Sequence, residues 1–419
     1  MNDMIICIGR QYGSGGREIG EKLAARLGVT CYDKLLLKQA AKEGGVSLGE
    51  VERQDEKPVS ASAFLSGNVF ADSASIGGAF YSQSQLVYDA EKGAYAATAD
   101  KRGRVRVMPY GGGPVEVRSS RGAYLFSVTP HVVERGPREL PQAPKLFVTS
   151  DLHGDFRSFA TLLQAHGVID GDCRWSYGNN QLAVIGDIFD RGYDVLPLLW
   201  LMYKLEQEAA DAGGAAVLLL GNHEGMVLAG DVRYTRGKYL DTARQLGMEN
   251  YRQLFSPDTE LGRWLATRNT MLRIGRNLFV HAGLSARLLE RDLEMDTLNA
   301  RMSEGLYRTS KERREDPTLE FLYRSAGPVW YRGMVCADEK YDPLTPEQTD
   351  ALLRRYDADR LLVGHTVFPD ISTFHDGRVI AVNVQNELNR RKNRGRAVLI
   401  EGSRISVVGN RGVKRVLEE

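Results

Sequence analysis

The chain has 419 residues, and at roughly 150 residues per domain this length allows about three domains. Fifty-five Lys and Arg against 54 Asp and Glu leave a formal net charge of +1, which excludes a strongly basic nucleic-acid binder and an acidic solvating tail. The cysteines, Cys7, Cys31, Cys173 and Cys336, form no CxxC pair and are too scattered for a disulfide framework. The longest apolar run, 195–203, is nine residues and contains Pro197, against about 20 for a membrane span. Met1 is followed by Asn2 and Asp3 without a basic n-region, so the expected compartment is the cytoplasm, with no membrane partner.

In chain order, residues 4–8 read as a short buried strand, residues 9–16 as a glycine-rich turn, and Ile19, Leu23, Ala24 and Leu27 as one face of a helix that Gly28 stops. A second helix is predicted over about 34–42. Residues 57–86 are rich in Ser, Ala and Gly and read as a linker. From about Gln85 to Val128 the pattern turns β-like. Residues 104–107 and 115–118 alternate, Gly111, Gly112 and Gly113 sit between them, and Tyr124, Leu125 and Phe126 begin another strand, so a small antiparallel unit of hairpins is predicted.

The rest alternates strands and helices. Apolar runs at 146–148, 182–185, 216–220, 278–280 and 361–363 end, in turn, at Asp151, Asp187, Asn222, His281 and His365, and a helix is predicted through Leu198 and Leu205. The strand ends carry Asp151-Leu-His153-Gly154, Gly186-Asp187-Ile-Phe-Asp190-Arg191-Gly192, Gly221-Asn222-His223-Glu224, His281-Ala282-Gly283 and Gly364-His365-Thr366. Four of the seven histidines lie in these motifs, and carboxylate, imidazole and amide oxygen are the ligand set of borderline divalent metals. His131, His166 and His375 match no motif and read as structural or surface residues.

With these five motifs in this order, residues from about 144 to 385 resemble the calcineurin-like metallophosphoesterases, in particular the bacterial phosphoprotein-phosphatase-type branch. The resemblance implies an α/β (α+β) fold, a β-sandwich flanked by helices, with two divalent metals at one edge. Manganese is expected, with iron or zinc as alternatives. Asp151 and His153 would hold the first metal, Asp187 would bridge, and Asn222, His281 and His365 would hold the second. The nucleophile would be a metal hydroxide. His223 would act as general acid with Asp190 as its partner, and Arg191, Asn222 and Arg332 would bind the substrate phosphate, Arg332 being chosen over nearby Arg324 from its Trp330-Tyr331-Arg332 setting. The reaction implied is hydrolysis of phosphomonoesters, of phosphoprotein Ser/Thr or of small molecules. His-Ala-Gly and Gly-His-Thr are also the style of diadenosine-polyphosphate hydrolases, which makes such a nucleotide hydrolase the alternative. The charged segment 303–327, with Arg308, Lys311, Arg313 and Arg314 among acidic residues, reads as a solvated face rather than a funnel for an anionic substrate.

Residues 5–20, with 32–34 and 55–58, resemble the start of the cytidylate-kinase-like P-loop family. The loop Gly13-Ser14-Gly15-Gly16-Arg17 lacks the Walker lysine, and the pattern changes by about residue 85, so a truncated segment is expected in place of an active kinase. The organisation expected is a kinase-like segment and linker over 1–85, a small β-rich unit over 86–140, and a catalytic domain over 141–410.

Overall fold

The computed structural model describes residue 26 and residues 84–89, 93–99, 105–120 and 123–418. The chain divides into two compact units, Met1–Ile76 and Gly77–Glu419. The first strand, the glycine-rich loop, the two N-terminal helices apart from Arg26, and all but the end of the linker lie outside the described residues.

The alternating segments form two separate antiparallel pieces. β1 (Ser84–Asp89), β2 (Gly93–Ala99) and β3 (Val105–Pro109) make a meander in which Ala97 faces Val107, and β1 begins within the last residues of the stretch read as linker. β4 (Val115–Arg118) and β5 (Leu125–Val128) make a hairpin in which Val117 faces Phe126. The three glycines therefore separate the two pieces and do not turn a hairpin between β3 and β4. Gly112 and Gly113, at φ of 97° and 92°, redirect the chain in a region that L side chains rarely adopt.

Two six-stranded sheets follow. β6 (Glu139–Leu140), β10 (Met271–Ile274), β11 (Asn277–Val280), β12 (Arg360–Val363), β13 (Ser372–Phe374) and β14 (Val379–Ala381) form one, in the order 13-14-12-11-10-6. β7 (Lys145–Thr149), β8 (Gln181–Val184), β9 (Ala215–Leu218), β15 (Ala397–Glu401), β16 (Arg404–Val408) and β17 (Val413–Glu418) form the other, in the order 17-16-15-7-8-9. Side chains alternate between faces, and both faces are apolar. Leu146 and Val148 of β7 join Ala183, Phe279, Leu362, Ile380, Val398 and Val407 in the layer between the sheets. Phe147 points the other way, to the helices α1 (Phe156–Ala165) and α2 (Val195–Asp211). On the far sheet Leu278, Val280, Leu361 and Val363 face a second helical layer through Leu298, Leu322 and Leu352. The runs are continuous rather than alternating because these central strands are covered on both faces.

The same reasoning explains α2. Its residues from Val195 to Leu205 are all buried, Lys204 included. One side packs on the β7–β8 face, and the other is covered by Leu86 of β1 and by Val117, Phe126 and Val128 of the hairpin, all in one cluster. A helix covered all round needs no polar face. The hairpin end is also hooked to the chain before α2, because the Ser120 amide donates to the Asp194 carboxylate at 2.6 Å. Among the described residues no helix is long and apolar enough to cross a membrane.

β7, β8 and β9 are mutually parallel, as are β11 and β12. Their C-terminal ends bring loops from both sheets to one edge of the sandwich. If the hairpin is part of the α2 core, Phe126→Ala should cost about 3–5 kcal/mol, read as a lower denaturant midpoint. An unchanged midpoint would mean that the hairpin does not cover the helix.

Candidate metal centre

The loops at this edge are sharply bent. Asp151, His153, Asp187, Asp190, Arg191 and His365 all have left-handed backbones, with φ between 42° and 71°. Non-glycine residues rarely adopt this region, and each costs on the order of 1–3 kcal/mol unless its surroundings hold it there. One holding group is Glu224, at the third position of α3 (Asn222–Leu228) and fully buried. Its Oε1 accepts from the amides of Ile188 and Phe189 at 2.8 and 3.2 Å, and its Oε2 from those of Asp187 and Gly221 at 2.9 and 2.7 Å. Neighbouring loops also bond to each other: His153 N–H donates to Asp187 O at 2.9 Å and Gly154 N–H to Ile188 O at 3.0 Å. Two glycines are required by contact. A Cβ on Gly192 would lie 2.2 Å from His153 O, and one on Gly221 would lie 2.2 Å from Asp187 Oδ1. Gly154 and Gly192 thus let two backbones pass each other.

Around Asp187 the side chains converge with their acceptor atoms inward. Its Oδ2 lies 3.3 Å from His281 Nε2, 3.9 Å from His153 Nε2 and 4.0 Å from His223 Nε2. His281 Nε2 is also 3.0 Å from Asn222 Oδ1. The outer ring nitrogens of two of these histidines are already used: Nδ1 of His153 donates to Phe189 O at 2.8 Å and Nδ1 of His281 to Ile185 O at 2.7 Å. In the neutral imidazoles this leaves both Nε2 lone pairs facing carboxylate and amide oxygens. His365 Nε2 is buried with no hydrogen-bond partner among the described residues. Asp151 is steadied by the His365 amide, which donates to its Oδ2 at 3.0 Å. Converging lone pairs repel unless protons or cations sit among them. Two groups, His153 with Asp187 and His223, and Asp187 with His281 and His365, have ligand atoms within 4.8 Å of one another, and Asp187 belongs to both. The donor set fits two divalent ions that share a carboxylate.

Burial pushes the Asp151 carboxyl up to about 7 and the His153 imidazole down to about 4. Burial, then the charges of His281 and Arg332, hold His365 well below its ordinary value. Burial opposes the charge of Asp187, but His281, His223 and His153 outweigh it and hold the carboxyl below the usual range. Burial opposes a charged His281 too, yet Asp187 and Asp151 raise it to about 9.

His223 differs in its outer partner, which is a carboxylate: Nδ1 lies 2.7 Å from Asp190 Oδ2. Burial lowers its pKa, but the Asp190 bond and the charges of Asp187 and Asp190 more than compensate, so it sits above its ordinary value. Asp190 is fixed in turn by Thr235 Oγ1 at 2.7 Å. Arg191 Nη2 lies 3.3 Å from His223 Nε2, and its amide donates to Tyr234 O at 3.0 Å. Arg332 Nη1 donates to Thr366 Oγ1 at 2.9 Å, whereas Arg324 is exposed and pairs with Glu320 at 3.1 Å.

Asp151, His153, Asp187, Arg191, Asn222, His223, Arg332 and His365 all line one cleft of about 420 Å³. His281 lies beneath it, fully buried, and Asp190 lies behind His223. The other histidines are elsewhere: His131 stacks on Tyr203, His166 meets Gly409 O, and His375 meets Met334 O. The holding role of Glu224 is absent from the motif reading. Its signal is positional, since a Glu at the third residue of a helix reaches back to the amide at the helix start.

A family model described as calcineurin-like phosphoesterase matches residues 144–369, and one described as cytidylate kinase-like family matches residues 5–105. Over 244 residues the chain is 29% identical to an uncharacterised protein of Schizosaccharomyces pombe, which covers 57% of this chain and 72% of that protein. Over 226 residues it is 27% identical to Shewanella-like protein phosphatase 1 of Plasmodium berghei, which covers 54% of this chain and 62% of that protein, less than two thirds of its length. The solved structure of a cold-active protein-tyrosine phosphatase from a psychrophilic Shewanella species superimposes with a TM-score of 0.71 at 30% identity, covering 79% of this chain and 98% of that one.

Glu224→Gln keeps the shape of the holding group but turns one acceptor into a donor facing backbone N–H groups. The affinity for Mn²⁺, measured by calorimetry on the folded variant, should fall about 10–100-fold. An unchanged affinity would separate Glu224 from the centre.

Proposed function

The chain belongs to the calcineurin-like phosphoesterase family, and on that footing we propose that it is a dinuclear metal-dependent phosphatase that hydrolyses phosphomonoesters. The observation that carries this reading is the convergence of imidazole nitrogens and oxygens on the single carboxylate of Asp187, with His365 Nε2 left without a hydrogen-bond partner among the described residues. Asp151, His153 and Asp187 would hold one ion, and Asp187, Asn222, His281 and His365 the other. Bound there, divalent ions supply Lewis acidity, acidifying water and neutralising phosphate oxygens. Manganese is the first choice, and iron and zinc accept the same ligands.

The remaining work falls to this chain's own side chains. Arg191 and Arg332 face the cleft and offer guanidinium forks to a tetrahedral oxyanion, with the Asn222 amide beside them. The Thr366 hydroxyl keeps Arg332 turned toward the site. His223 Nε2 donates a proton to the leaving oxygen. Asp190 at Nδ1 fixes the ring and favours the charged form, whereas His153, with a carbonyl at Nδ1 and held below its ordinary value by burial, is set as a neutral ligand. The phosphatase names of two relatives, one of them a protein-tyrosine phosphatase, support a phosphoprotein substrate over a diadenosine polyphosphate.

A leaving-group comparison tests the assignment. His223→Ala should lose about 10²–10⁴-fold on an alkyl phosphate such as phosphoserine, and far less on 4-nitrophenyl phosphate, whose leaving group needs no proton. Equal losses on both would contradict the acid role. Faster turnover of diadenosine tetraphosphate than of phosphopeptides by the wild-type chain would favour the nucleotide-hydrolase reading.

A further inference from the structure

The charged segment after α7 (chain order: α4, Gly237–Gln245; α5, Glu260–Ala266; α6, Ala286–Arg291; α7, Met295–Gly305) supplies one residue that departs from a solvated face. Arg313 ends the short helix α8 (Ser310–Arg313), is only 7% exposed, and lines the cleft together with His223 and Arg191. Its Nε donates to Gly305 O at 2.9 Å, and its Nη2 to Gly225 O and Leu306 O, both at 2.9 Å. The guanidinium lies 3.6 Å from the centre of the Tyr323 ring. Its Nη1 makes no hydrogen bond among the described residues, and no carboxylate pairs with it there.

Among the arginines of the segment 303–327, only exposed Arg314 shares that lack of a carboxylate partner among the described residues, and burial sets Arg313 apart from it. Arg301 pairs with Glu304 and Asp316, Arg308 with Glu304, Arg324 with Glu320, and Arg233, also at the cleft, with Asp231. Arg191 and Arg332, the other cleft arginines without a carboxylate partner among the described residues, are the two already assigned to phosphate. Burial disfavours the charge on Arg313, and Tyr323 offsets that only in part. An arginine buried without a counter-ion, held by three bonds and left with an unpaired amino group at a cleft, is arranged to receive an anion. Gly225, to which it is bound, follows His223 by two residues in α3, and Arg313 and His223 line the same cleft, which associates the free edge with the wall that carries the candidate acid.

We propose that Arg313 forms an anion subsite on the leaving-group side of the cleft, which takes a second negatively charged group of the substrate, a carboxylate or a phosphoryl, beside the phosphoester. The proposal rests on the phosphatase reading and narrows it to substrates that carry such a neighbour.

The test uses the full chain loaded with Mn²⁺ and three blocked phosphotyrosyl tripeptides. One is flanked by Gln on both sides, one by Glu on both sides, and one by Gln and phosphoserine. The wild-type chain should show a kcat/KM about tenfold higher on the anionic peptides than on the Gln peptide, through KM, as one charge-assisted contact provides. The two anionic arms show whether carboxylate or phosphoryl is preferred. Arg313→Gln should bring the ratio to about one, and Arg313→Lys, which keeps the charge but not the fork, should leave it at about three. A purely structural arginine would lower all three peptides by the same factor. A wild-type ratio near one on both arms overturns the proposal, as does an unchanged ratio in whichever variant folds. If the Gln peptide itself is not hydrolysed, the phosphatase reading fails instead.

Discussion

Four backbone amides, those of Asp187, Ile188, Phe189 and Gly221, end on the one carboxylate of Glu224. The turn they bind holds Asp187 in a left-handed backbone from which its carboxylate reaches His281, His153 and His223. Without that anchor the strained turn would relax toward ordinary backbone angles and the shared oxygen would leave the focus of the imidazoles. Glu224 also sits one residue from His223, so the same side chain fixes a ligand loop and the start of the helix that carries the candidate acid.

The sandwich makes this arrangement possible. Parallel strands of two sheets end at the same edge, so loops distant in sequence meet there: the Asp151 carboxylate bonds the His365 amide, 214 residues away. The twice-covered strands anchor the loops in the core, and glycines at 154, 192 and 221 allow the loops to approach within distances that any Cβ would block. A near-neutral chain then needs no global field to attract phosphate. Its positive charge at the cleft is local, in Arg191, Arg332 and Arg313.

The motif-bearing strands were legible because each apolar run ends in a residue type with its own chemistry. β10 and β13 to β17 carry no such ending and are invisible to that reading, although they complete both sheets. The Gly111–Gly113 stretch misleads because glycines mark a bend without saying which strands the bend joins, and here β3 and β4 each pair elsewhere. The all-apolar face of 195–203 shows burial but not its cause, which is a hairpin more than 65 residues earlier in the chain. Arg313 was hidden for the opposite reason. Amid Arg308, Lys311 and Arg314 it looks like one more solvated charge, and only the packing against Gly225 and Tyr323 distinguishes it.

The central claim is that one carboxylate joins two metal sites, and anomalous diffraction from crystals grown with Mn²⁺ tests it most directly. The account predicts two manganese peaks, one beside Asp151, His153 and Asp187 and one beside Asp187, Asn222, His281 and His365, both lost in Asp187→Asn. A single peak, or two peaks that survive that substitution, would contradict it.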